Sequence, residues 1–100
     1  MKLKPITYRI ARVSNWSGLL KTMVNGFAVD SDLPAKFCVR KDGSYWVADE
    51  FTTGFGLDVT EATRKDAIEA AYLKLKYNIK TGVYESKMKK AYGMIARLSA

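Results

Sequence analysis

Histidine is absent from this 100-residue chain, cysteine occurs once, and no apolar run is longer than a few residues. Without histidine the chain lacks the usual general base at neutral pH and the commonest neutral nitrogen ligand of transition metals. The single Cys38 forms no internal disulfide; within a β-prone run it reads as a small buried hydrophobe suited to a reducing cytoplasm. Short apolar runs give nothing long enough to span a membrane, and Arg9 and Arg12 interrupt the stretch after Lys2 and Lys4 where a signal-peptide core would stand. Internal repeats, low-complexity tracts and linkers are also missing, so residues 1–100 read as one domain.

Other absences bear on catalysis. Asp49, Glu50 and Asp58 come nearest to a carboxylate constellation, but neighbours in a strand point to opposite faces, so Asp49 and Glu50 cannot share a reaction site. Gly54-Phe55-Gly56 lacks the third glycine of a dinucleotide loop and leads towards a strand, which makes it a turn. The expectation is a non-enzymatic protein with no catalytic residues, no cofactor and no metal.

What is present is a strand-strand-strand-helix unit from Lys36 to Leu75. Lys36-Phe37-Cys38-Val39-Arg40 is β-prone, Asp42-Gly43 suits a tight hairpin turn, and Tyr45 to Phe51 forms the return strand. Thr53-Gly54 and Gly56 offer a second reversal before Leu57-Asp58-Val59. Thr63 then stands as N-cap with Asp66 three residues on, and Ala67, Ile68, Ala71, Tyr72, Leu75 and Ile79 make one apolar helical stripe.

Upstream, Ile6 to Val13 alternates as a half-buried strand. Trp16, Leu19, Leu20, Met23 and Val24 follow helical spacing, with Ser14 or Asn15 as cap and Asn25-Gly26 as stop signal. Trp16 belongs to the core in that reading, and Phe27-Ala28-Val29 is open between connector and brief strand. Downstream, Tyr84, Met88, Ala91, Ile95 and Leu98 form the narrow seam of a last helix, packed on its own chain or on a second copy in a homodimer. The expected fold is α+β: a small antiparallel sheet of three to four strands covered by amphipathic helices, in the order β-α-β-β-β-α-α.

Charge is segregated along the chain. Residues 1–41 hold eight cations against two acids, residues 42–69 seven acids against two cations, and residues 70–100 seven cations against Glu85 alone. A basic balance favours a polyanionic partner, since long-range fields steer such encounters. Lys74, Lys80, Lys87, Lys89, Lys90 and Arg97, with Tyr77 and Tyr84 interleaved, are the candidate nucleic-acid contacts. Tyr45 and Trp46 point to opposite sheet faces, and the outward one beside Asp49 or Glu50 is the candidate anchor for a protein partner.

The unit from Lys36-Phe37-Cys38-Val39-Arg40 through Tyr45-Trp46-Val47 and Gly56-Leu57-Asp58-Val59 to Thr63 and its helix resembles the AP2-like arm-binding domains of phage integrases. That resemblance implies a sheet that enters the DNA major groove; this chain departs from it by carrying Asp49, Glu50 and Asp58 on the strands concerned. As a histidine-free α+β chain of this size with segregated charge, it also resembles small bacteriophage accessory proteins, including anti-restriction and anti-CRISPR proteins. This second resemblance implies stoichiometric occlusion of a host protein or ribonucleoprotein complex.

Overall fold

Thirteen residues of alternating strand, Lys2–Ser14 (β1), pair antiparallel along their whole length with Gly18–Asp30 (β2). The computed structural model describes residues 1–14 and 18–99. Three shorter strands follow, Phe37–Asp42 (β3), Tyr45–Glu50 (β4) and Gly56–Glu61 (β5), and then two helices, Arg64–Lys80 (α1) and Val83–Ser99 (α2). The strands lie in chain order, so the sheet is a five-stranded antiparallel meander.

The α+β class stands, with five strands where three to four were expected and a strand in place of the expected helix around Leu19 to Val24. Leu19, Leu20, Met23 and Val24 fit a helical wheel, but Thr22 and Val24 are β-branched and glycines stand at 18 and 26, so local helix preference is weak. The ladder to β1 runs the length of the segment and bonds the backbone of alternate residues, and Phe27-Ala28-Val29 near the end of this strand pairs on its other edge with β3. Asn25-Gly26, read as a stop signal, lies in mid-strand. Asn15 as a cap and Trp16 as a core residue lie outside the described residues.

The local signals from residue 37 onwards act as expected. Gly43 at φ 62° opens a two-residue turn between Asp42 and Tyr45, which fits the twist of a hairpin. The Thr63 hydroxyl accepts from the Asp66 N–H at 3.2 Å, capping α1, with Asp66 in the positively polarised first turn. Ala67, Ala71 and Leu75 bury this helix on one face of the sheet, against Val29, Phe37, Val39, Ala48 and Val59. Small alanines at the contact let the helix approach closely; Phe37 and Leu75 are the largest of the fully buried side chains.

The opposite face is covered by the first hairpin. β1 and β2 coil until the outer edge of β1 meets the β4–β5 connection, where the Ala11 N–H donates to the Gly54 carbonyl at 3.0 Å. Gly54 has φ 78°, and a Cβ there would lie 2.5 Å from the Arg9 carbonyl oxygen, so glycine is needed for both conformation and approach. Because N–H groups alternate sides along a strand, Pro5 sits on the same outward side as Ala11, where its missing N–H breaks no ladder bond. Gly26 serves a similar close approach: a Cβ there would lie 2.5 Å from the Val39 carbonyl oxygen and 3.1 Å from the Tyr8 ring. Gly26→Ala is therefore expected to destabilise the protein by about 1–3 kcal/mol through overpacking. Urea denaturation measures it, and an unchanged midpoint would show that the hairpin does not cross the sheet here.

Candidate functional site

Asp49 and Glu50 leave β4 on opposite faces, and both are only 3% exposed. The expected acidic working surface around them is thus corrected: the hairpin covers one face and the helices the other. Tyr8 donates its hydroxyl to Asp49 Oδ2 at 2.6 Å, and Arg40 Nε donates to the same oxygen at 2.8 Å. Glu50 folds back on the β4–β5 turn, accepting from the Thr52 N–H at 2.9 Å and from both the N–H and the hydroxyl of Thr53 at 2.6 Å. Each carboxylate is therefore committed to holding the fold.

Beside Asp49, burial, then the bond to Asp49 and its charge, push the Tyr8 phenol above its ordinary 10.0. Burial, with Asp49 and Glu50 adding, pushes the Cys38 thiol from 9.0 up to about 12. Burial pulls Arg40 down, but its bond to Asp49 and the charge there outweigh this and raise it. Cys38 is fully enclosed and held as thiol, hence a poor nucleophile.

Of the other anchor candidates, Tyr45 points outward at 56% exposure, but it stands at the far end of β4 from Asp49 and Glu50. Trp46 faces the helix side and is half-buried against the core. It lies 6.3 Å from Phe27, ring centre to ring centre. Arg64, in the first turn of α1, sets its guanidinium 4.7 Å from the Phe27 ring centre and 6.0 Å from that of Trp46, and Lys41 Nζ lies 5.9 Å from Trp46. These rings floor an open groove of about 460 Å³ with Pro5, Thr7, Asn25 and Lys41 on its walls. Sequence reading named Trp46 but missed Phe27, brought in by the pairing of β2 with β3, Lys41, which pairs with Trp46 across β3 and β4, and Arg64, placed by the docking of α1.

The cationic candidates divide. Lys80, Lys87, Lys89, Lys90 and Arg97 are exposed. Lys74 turns to β5 instead, with Nζ 3.4 Å from the Asp58 carbonyl oxygen and 3.8 Å from its carboxylate. On α2, Lys87, Lys90 and Arg97 share one exposed stripe that flanks the half-buried seam of Tyr84, Met88, Ala91, Ile95 and Leu98, with Lys87 at the seam's rim and Lys89 on the far side of the helix. Tyr84 packs towards the core and its phenol is raised by burial and by Glu50, while Tyr77 is 67% exposed. Among the described residues no helix is long and apolar enough to cross a membrane. Comparison of the chain with family models, characterised proteins and solved structures finds no match in any of the three.

Two predictions arise from the buried network. Asp49→Ala removes the shared acceptor of Tyr8 and Arg40, and a loss of about 2–3 kcal/mol is expected in urea denaturation, towards the low end for broken buried pairs because Arg40 keeps some solvent contact. A loss below about 0.5 kcal/mol would sink the structural role of this carboxylate. The raised Cys38 and Tyr8 values also set an alkaline limit. Above pH 9 the unfolded chain releases the thiol proton and the folded chain does not, so stability is full below pH 9 and falls as pH rises towards about 12. The slope is about 1.4 kcal/mol per pH unit for each group, with Tyr8 joining above pH 10. Between pH 9 and 10, Cys38→Ala should flatten the decline; an equal decline in that variant would refute the assignment.

Proposed function

We propose that this protein is a non-enzymatic nucleic-acid-binding protein whose working surface is cationic and includes the exposed stripe of α2. The observation that carries this reading is the burial of Asp49 and Glu50. Both acids lie on β4, which exposed acids would make repel phosphate, and their internal bonding leaves the surface more basic than the composition suggests. Lys87, Lys90 and Arg97, spaced three and seven residues apart, give a row of cations along about 15 Å of helix. Lys80, at the end of α1, is exposed close by in sequence, across a two-residue connection. Such a surface neutralises phosphates and releases counterions without reading bases.

Occlusion of a host protein or nucleoprotein complex, in the manner of phage anti-defence proteins, is a second reading. Leu73 and Tyr77 support it, since they lie one turn apart on the outer face of α1 at 59% and 67% exposure. Large apolar side chains side by side on an exposed helix face suit a protein contact.

Titration of labelled duplex and single-stranded DNA against ionic strength tests the first reading. Affinity should fall linearly with the logarithm of salt, and replacing Lys87, Lys89 and Lys90 together by Glu should cut the duplex slope by about 2–3, near 0.9 per lost phosphate contact. Salt-independent binding, or no binding at low salt, would overturn nucleic acid as the partner and leave occlusion of a protein.

A further inference from the structure

Resting on the nucleic-acid reading, we propose that the groove floored by Phe27 and Trp46 seats an unpaired base, which makes the preferred ligand single-stranded nucleic acid. Three observations converge on this. Two aromatic rings lie together on the sheet face just beyond the start of α1, where the helix no longer covers the strands. Cations flank them: Arg64 stacks over Phe27, and both Arg64 and Lys41 lie within about 6 Å of the Trp46 ring centre. An open groove of about 460 Å³ runs over this floor, with Thr7 and Asn25 on its wall, and Thr7 donates its hydroxyl to Asn25 Oδ1 at 2.7 Å.

That bond orients the Asn25 amide and leaves its N–H₂ as the donor end available to a base edge. An aromatic ring offers stacking to any base, and the flanking cations meet the phosphates on either side, the combination that binds single strands with little sequence preference. A duplex keeps its bases stacked on one another and cannot use the floor. Glu61, which pairs with Trp46 across β4 and β5, is the acid beside the floor, and Arg64 follows it by three residues. Lys41 and Arg64 thus leave the site net cationic, which favours a base attached to phosphate over an isolated neutral aromatic.

A Trp16→Phe background makes Trp46 the sole tryptophan and hence the reporter. An oligothymidylate of about eight nucleotides, within the usual site size of single-strand binders, should quench its emission on binding. Trp46→Leu should weaken binding of that oligonucleotide by about 5- to 150-fold, the range for loss of one stacked base, and leave duplex affinity unchanged. Lys41→Glu, at an exposed position that leaves the core intact, should weaken it as well. Oligonucleotide binding with a steep salt response but no quench, and with wild-type affinity in both variants, would overturn the groove and leave the α2 surface standing. An equal loss on duplex and single strand would overturn the single-strand preference. Absence of binding to either nucleic acid at low salt would remove the groove proposal together with the reading on which it rests.

Discussion

A carboxylate enclosed in the protein interior is the constraint from which much of this structure follows. Burying a charge costs several kcal/mol unless it is paired and hydrogen-bonded, so Asp49 requires donors at the place where β4 carries it. Arg40 is supplied by the adjacent strand and reaches the carboxylate at 2.8 Å. Tyr8 is supplied from 41 residues earlier in the chain, so β1 has to pass over the sheet to deliver it. That crossing is possible because Gly26 has no Cβ to meet the Tyr8 ring and because Gly54 lets the β1 backbone come within hydrogen-bonding distance. One polar requirement thus accounts for the coil of the first hairpin, two of the glycines and the enclosure of Cys38.

The same enclosure reshapes the electrostatics. Along the chain, residues 42–69 form an acidic block between two basic ones. In space that block is divided: Asp49 and Glu50 turn inward, whereas Asp58 beside Lys74 and Asp66 at the start of α1 stay exposed. An acid committed to a fold contact has a different consequence from one on a rim. Removing Asp49 lowers stability before it changes any association rate, whereas a rim charge acts mainly on the rate of encounter. Linear charge segregation therefore misleads as a map of working surfaces, and burial decides which charges a partner meets.

Legibility in the sequence followed contact distance along the chain. The β3–β4 hairpin, the Thr63 cap and the α1 stripe are specified by residues within a few positions of one another, and each stands where local chemistry places it. β2 was misread because Leu19, Leu20, Met23 and Val24 satisfy helical spacing, while the information that makes them a strand resides in the thirteen-residue ladder with β1. Gly26 illustrates the difficulty: after Asn25 it reads as punctuation, whereas here it is a point of close passage between strands. The candidate groove was only partly legible for a similar reason. Trp46 stood out as a large aromatic on a strand, but Phe27 joins it through β2–β3 pairing and Arg64 through the docking of α1, and neither relation has a local signature.

Fold and candidate site are coupled through that hairpin. Pro5, Thr7 and Asn25 reach the groove from β1 and β2, whereas Trp46 and Lys41 reach it from β4 and β3, so the groove exists only where the hairpin is held in register with the later strands. β2 and β3 share only Phe27↔Val39, Ala28↔Cys38 and Val29↔Phe37 among their paired positions, a short ladder for a long hairpin. Tyr8 and Ala11 add anchorage on the opposite face. Gly26 belongs to both features, lining the groove on one side while clearing the path of Tyr8 on the other. The buried Tyr8–Asp49–Arg40 network is accordingly the positioning element of the groove, and a change that loosens the network acts on the surface site without touching any residue exposed in it.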